Sequence, residues 1–382
     1  MKIKKLLLTV FAFLFLCVDC VGLDNKVEAI NAENLTKASL LMDFGTGQVL
    51  EEHNSKEHLP IASVTKLTTL LLAFEALENG KLSLDDELTA SERASSMGGS
   101  QVFIDANSKY KVENLLHAIV ISSANDACVV IAEELAGSEE DFVVIMNEKV
   151  KSLGGMDTNY VNCSGLPSPN AYSCANDVAL VMREIIKYPL YFEISKIWME
   201  DFEHPSGRIT QMANTNKLLR NYTGCDAGKT GSTNEAGFCM SATAKRGNMR
   251  LISVVLGASN SKERFNACAG LFDLGFANYT SDCIVDSAKN LDIDFVVNMA
   301  KNQSPLKAEE DYFVLNKKGE KSNLEISYQM ENVVAPLSGG TVVGKIIISK
   351  DNIVEKEINI LLVNDVEAMN WFDRIKEIAS KW

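Results

Sequence analysis

The pattern of apolar and polar positions changes period several times, and those changes divide the chain. Residues 6–18 are apolar except for Thr9 and follow Lys2, Lys4 and Lys5. A run this short cannot span a bilayer, which takes about 20 residues. A basic start before a short apolar core predicts an export leader, ending after Gly22 or Ala29. Residues 38–50, ASLLMDFGTGQVL, place two apolar runs around a glycine-containing turn, which predicts a β-hairpin. Pro60 opens a Leu-rich helical pattern over 63–79 that Gly80 stops. Further helical patterns cover 112–135, 139–153, 175–186 and 261–276, while 160–172, with Pro167 and Pro169, reads as loop. From Phe238 the pattern turns to strands, FCMSATA and MRLISVVLGA.

After Asp282 strand-like runs alternate with turn signals: IDFVVN, YFVLNKKGEK, NLEISYQM, TVVGKIIISKDN and EKEINILLV. They predict a small all-β domain over 283–363. The last stretch, 364–382, repeats Ala368, Trp371, Phe372, Ile375, Ile378, Ala379 and Trp382 at helical spacing. Asp373, Arg374, Lys376, Glu377 and Lys381 fill the opposite face. This amphipathic helix suits a membrane surface, with docking on the β domain as the competing reading. The chain thus divides into a leader (1–29), a mixed helix-and-strand domain (30–282), the β domain (283–363) and the terminal helix (364–382).

Composition narrows the class. Of 382 residues, 46% are hydrophobic and 23% charged, a globular balance that excludes a disordered chain. Net charge is −14, and with no long basic patch it argues against nucleic-acid binding. Removing 1–29 leaves 33 basic against 48 acidic residues, net −15. Seven cysteines lie beyond the leader (Cys128, Cys163, Cys174, Cys225, Cys239, Cys268 and Cys283), an odd number without C-x-x-C spacing. They read as free, buried thiols. The four histidines form no H-E-x-x-H pattern, so neither a metal nor another cofactor is expected. Asp126 reads as a structural cap and His117 as a core histidine.

Three short motifs carry the chemistry: Ser63-Val64-Thr65-Lys66, Ser123-Ala124-Asn125 and Lys229-Thr230-Gly231. S-x-x-K recurs at Ser108, Ser259 and Ser304, and S-x-N at Ser168 and Ser232, so the signal lies in order and setting. Ser63 opens a long apolar helix, Ser123 follows an apolar stretch, and Lys229 opens a strand after a Gly-Cys-Asp-Ala-Gly turn. Positions i and i+3 share a helix face, which sets Lys66 beside Ser63. A serine hydroxyl needs a base before it attacks. Burial and a second cation, Lys229, lower the Lys66 pKa towards that task. The backbone N–H groups of Ser63 and Ser232 are candidates for an oxyanion hole. Gly231 lets a substrate backbone approach the strand.

This order of motifs resembles that of the low-molecular-mass penicillin-binding proteins, the serine-type D-alanyl-D-alanine carboxypeptidases. The likeness covers about residues 38–382 and extends to LPIASVTKLTT, GSQVFI, SSANDACVVIAEELAG, MNEKVKSLGG, TNYVNCSGL, MANTNKLL and DAGKTGSTNEAGFCMSATA. It implies an α/β (α+β) serine transpeptidase/β-lactamase-like fold, with an antiparallel sheet flanked by helices. It also implies export, action on peptidoglycan stem peptides at the outer face of the cell membrane, and inhibition by β-lactams. By position, Ser63 resembles the acylated nucleophile, Lys66 its base and Ser123 the proton relay to the leaving D-alanine. Asn125 resembles the residue that orients Lys66 and the substrate amide. Lys229 and Thr230 resemble the binders of the terminal carboxylate, with Arg264 assisting. The family has D-G-x before K-T-G where this chain has Asp226-Ala227-Gly228, an expected change in the turn. Two other functions compete. A class A-like β-lactamase needs a glutamate after S-x-N, and 156–174 holds none. The other is a non-catalytic wall-binding scaffold.

Overall fold

The computed structural model describes residues 32–320 and 323–380. The expected leader, with Cys17 and Cys20, falls outside the described residues, as do Lys381 and Trp382. The central sheet has five antiparallel strands: β1 (Ala38–Asp43), β2 (Val49–His53), β3 (Cys225–Thr233), β4 (Gly237–Arg246) and β5 (Met249–Ala258). Their order is β2-β1-β5-β4-β3, so the predicted hairpin supplies one edge and the K-T-G strand the other. Side chains alternate between faces along a strand. Leu40 and Met42 of β1 enter one core while Leu41 enters another, and all three are buried. Both faces must therefore be covered, which is why β1 reads as a continuous apolar run.

Helices α1 (Lys66–Glu78), α2 (Asn125–Ala136), α3 (Glu139–Ser152) and α4 (Ala175–Ile185) fill the first face. Helix α5 (Ser261–Asn278) covers the second with Ala267, Cys268, Leu271, Phe272 and Phe276. Side-chain caps fix two helix starts: Ser138 Oγ accepts from the Asp141 N–H and Asn260 Oδ1 from the Glu263 N–H, each at 3.0 Å. Helix α1 packs on α2, α3 and α4, and the turn before it packs on the sheet.

One predicted helix, 112–135, is broken. Val112–His117 is α-helical, Ala118–Ser122 forms a π turn, Ser123 turns left-handed (φ 64°, ψ 36°), and α2 starts afresh at Asn125. The Ala124 N–H reaches back to the Ala118 carbonyl at 3.1 Å. Apolar periodicity misses this break because both pieces are buried. The turn expected at 224–228 ends at Gly224 (φ 97°): residues 225–228 lie in β3, with a register shift between Cys225 and Ala227. A bulge of this kind bends a strand without ending it.

Strand β6 (Tyr279–Val285) runs across the 282/283 boundary and pairs with β8 (Tyr312–Lys317). A second sheet, ordered β7-β11-β10-β9, comprises β7 (Leu306–Ala308), β9 (Leu324–Met330), β10 (Val342–Lys350) and β11 (Ile353–Leu362). IDFVVN is irregular instead of a strand. The Val297 N–H bonds to Gln303 Oε1 at 3.0 Å, a side-chain substitute for a ladder, while the Val297 side chain is buried in the β-domain core. The terminal helix is present as α6 (Trp371–Ser380), started by the Asn370 Oδ1···H–N Asp373 bond of 3.0 Å. Sequence patterning missed the short helix Pro189–Ser195 and the ribbon of Met199–Glu203 with Ile209–Ala213.

Candidate active site

Ser63 lies in a 3-10 turn, Ala62–Thr65, that feeds directly into α1. Ala62 adopts φ 49°, an uncommon region for a residue with a side chain, and such strain collects at working sites. The turn is held from outside by the 160–172 loop. A Cβ on Gly165 (φ +79°) would stand 2.0 Å from the Ala62 carbonyl oxygen, so only glycine lets that loop close. Lys66 Nζ lies 2.9 Å from Ser63 Oγ and donates to the Ser164 carbonyl at 2.6 Å. Lys66 is wholly buried. Burial holds its ammonium below the usual lysine value, with Cys128, Cys163 and Asp126 pulling the other way. Burial pushes the Cys128 thiol up to about 12 and Cys163 well up too, so both stay uncharged near neutrality and only Asp126 opposes.

The left-handed backbone at Ser123 brings its hydroxyl to Lys229 Nζ, which donates to Ser123 Oγ at 2.8 Å and to the Thr230 carbonyl at 3.1 Å. Lys229 lies mid-strand in β3 and is buried. Burial depresses its pKa strongly, and the charges of Lys66 and Arg264 press in the same direction. Two serine hydroxyls, each on a sealed lysine, therefore converge on one site.

Gly231 explains how β3 and the Ser63 turn meet. A Cβ there would stand 2.8 Å from the Ser63 nitrogen and the Ile61 carbonyl oxygen. The backbone that packs closest on Gly231 is the nucleophile's own turn. The contact brings β3, one residue before exposed Ser232, against the backbone of the Ser63 turn. Thr230 Oγ1 donates to Thr215 Oγ1 at 2.7 Å. Arg264 reaches the same strand from behind. Its guanidinium donates to the Gly231 carbonyl at 3.3 Å and the Cys239 carbonyl at 3.4 Å, lies over Phe265, and burial lowers its pKa to about 10.

Asn125 opens α2 and is buried, but it does not bond Lys66. Its Nδ2 donates to the Gly98 carbonyl at 2.7 Å, its N–H to the Ser100 carbonyl at 2.7 Å, and its Oδ1 has no partner. Ser164 takes the lysine instead. Asp126 is structural as expected: its carboxylate accepts the Val102 and Ile104 N–H groups, each at 3.1 Å, and ties down the 98–104 loop. His117 is not a core histidine. It is half-buried, with Nδ1 2.8 Å from Glu200 Oε2. The seven cysteines are free and all buried but Cys283, which is half-buried.

Among the described residues one side-chain group has metal-ligand spacing: Asp157, Cys174 and Asp177. Its atoms already serve the fold. Asp177 Oδ2 accepts from the Asp157 N–H and Thr158 Oγ1, each at 2.8 Å, and Cys174 Sγ accepts from the Asp177 N–H. Sequence reading missed Ser164, whose contribution is a carbonyl any residue carries, and Thr215, which enters through Thr230.

A hydroxyl against a buried amine, a second serine on a second buried lysine and a strand packed tightly on the turn of the first serine are the arrangement of an acyl-transferring serine peptidase. Residues 25–260 match the family described as D-alanyl-D-alanine carboxypeptidase, and 295–368 match the penicillin-binding protein 5 C-terminal domain. The chain belongs to this family and is a serine peptidase of it. It is 36% identical to the D-alanyl-D-alanine carboxypeptidase DacF of Bacillus subtilis over 91% of this chain and 90% of that protein. It is 33% identical to DacC of Escherichia coli over 95% and 92%. Among solved structures, penicillin-binding protein 5 of Haemophilus influenzae superposes with TM-score 0.67 at 32% identity, covering 87% of this chain and 98% of that one.

Proposed function

We propose that this chain is a serine D,D-carboxypeptidase that removes the terminal D-alanine from peptidoglycan stem pentapeptides through an acyl-enzyme on Ser63. The observation that carries it is the 2.9 Å contact between Ser63 Oγ and the buried Lys66 amine. Neutral Lys66 has one lone pair and two N–H groups; the N–H on the Ser164 carbonyl fixes the head and leaves the lone pair for the Ser63 proton. Ser63 Oγ attacks the penultimate D-alanine carbonyl, whose oxygen gains charge between the Ser63 and Ser232 N–H groups. The peptide C–N bond then breaks. Ser123, held in place by Lys229, relays to the departing nitrogen the proton that Lys66 took from Ser63. Lys229 and Thr230 receive the terminal carboxylate, while Arg264 stabilises their strand and adds positive charge behind it. Water then hydrolyses the ester and frees Ser63.

β-lactams acylate the same serine by opening their ring amide. Asn125 holds the 98–104 loop, and its Oδ1, buried and without a partner, is the group assigned to orient the substrate amide. Residues 1–29 serve as an export leader, 30–282 as the catalytic domain and 283–363 as the β domain. Of the 364–382 segment, residues up to Val366 pack into the β domain and helix α6 rests on the membrane surface, supported by exposed Trp371, Phe372 and Ile375. Among the described residues no helix is long and apolar enough to cross a membrane. The direct test supplies an acylated L-Lys-D-Ala-D-Ala peptide and assays free D-alanine. The expected result is turnover that Ser63→Ala abolishes; wild-type protein that releases none contradicts the proposal.

A further inference from the structure

Beside the turn that carries the nucleophile lies a narrow cleft open to solvent. Ile61, Ala62 and Thr65 of the Ser63 turn form its floor. One wall is the end of β3 at Thr233 and the turn after it, with Glu235; the other is the 159–172 loop, with Asn162, Leu166 and Tyr172. Of the side chains that line it among the described residues, Glu235 alone carries a charge. Its carboxylate is exposed and makes no hydrogen bond or ion pair with any described residue.

The direction of β3 says which part of a substrate enters. Lys229 and Thr230 lie on one side of the Gly231 contact with Ser63, and Thr233 and Glu235 lie on the other. The leaving amino acid carries the carboxylate and belongs on the lysine side. The acyl half must leave the nucleophile on the opposite side, along Ser232 to Glu235. At about 3.3 Å per residue, the position before the D-alanine pair comes level with the cleft.

We propose that this cleft is the subsite for the side chain of the residue preceding the D-alanine pair, and that Glu235 selects a side chain ending in an ammonium. The proposal rests on the carboxypeptidase reading. A stem peptide with a diamino acid at that position offers such a cation, and the lone carboxylate in an otherwise neutral cleft is its complement. An exposed pair of this kind is worth a modest preference and weakens with salt.

The test compares Nα-acetyl-L-Lys-D-Ala-D-Ala, with a free ε-ammonium, against the Nα,Nε-diacetyl peptide, which is neutral there. The readout is the ratio of the two kcat/KM values on one enzyme sample, so the active fraction cancels. The expected wild-type ratio is about three- to tenfold in favour of the ammonium, falling as salt rises. Glu235→Gln brings it to about one, and Glu235→Lys inverts it. A wild-type ratio of one, or a preference that survives in Glu235→Gln, overturns the subsite while leaving the carboxypeptidase reading intact. Release of D-alanine from neither peptide overturns both.

Discussion

A lysine sealed from water against a serine hydroxyl governs how the site responds to pH. Burial lowers the Lys66 pKa, so the amine becomes a base below the usual lysine range. Acylation by penicillin is expected to rise with pH through one ionisation below 10.5. Lys66→Arg, which stays charged, should be slower by about 10² or more. A flat profile, or an arginine variant at wild-type rate, contradicts this. Stability follows the same ionisation. The unfolded chain binds a proton that the folded amine lacks, so stability rises with pH between the depressed folded value and 10.5. Urea midpoints should climb across that window, less steeply in Lys66→Met, with Lys229 accounting for part of the remaining slope. At this scale the motifs were legible because serine and lysine at i and i+3 have one shared geometry. The second anchor of Lys66 was not, because a backbone carbonyl leaves no mark on composition. The expected Asn125–Lys66 bond is not formed: Asn125 Nδ2 donates to the Gly98 carbonyl, and its Oδ1, the atom that would accept from the lysine, has no partner.

At the scale of elements, two glycines set how closely the pieces of the site approach. Gly231→Ala drives a methyl into the Ile61 carbonyl and the Ser63 N–H, so β3 must retreat from the nucleophile. The expected cost is about 1–3 kcal/mol of stability and at least about tenfold in acylation rate. Gly165→Ala meets the Ala62 carbonyl and a left-handed backbone together, and should show the larger drop in melting temperature. Calorimetry beside stopped-flow acylation checks both; wild-type behaviour in either variant contradicts the packing described. The apolar periods of α1, α3, α4 and α5 placed those helices closely. They could not place the break at Ser123, since that break changes backbone direction within a buried stretch without changing hydrophobicity. Nor could they separate IDFVVN from a strand, because Val297 is buried either way.

Across the whole molecule, catalysis and attachment are expected to separate. Val366 is buried in the β domain and its N–H bonds the Leu337 carbonyl, so the segment before α6 belongs to that domain's packing. Helix α6 by contrast exposes Trp371, Phe372 and Ile375. A chain ending at Asn370 should lose flotation with phospholipid vesicles yet keep its rate of penicillin acylation; retained flotation contradicts the membrane role. The near-neutral charge of this segment predicts little dependence on anionic lipid. The division into sheet-and-helix and all-β parts was legible from the change of period, but the handover inside β6 was not, because one strand serves both sides of it. The account as a whole rests on one covalent bond. Intact mass of the mature protein after incubation with penicillin, with Ser63→Ala alongside, tests it directly. One stable drug adduct on the wild type and none on the variant is the predicted result. Well-folded wild type without an adduct, or an adduct that persists in Ser63→Ala, contradicts it.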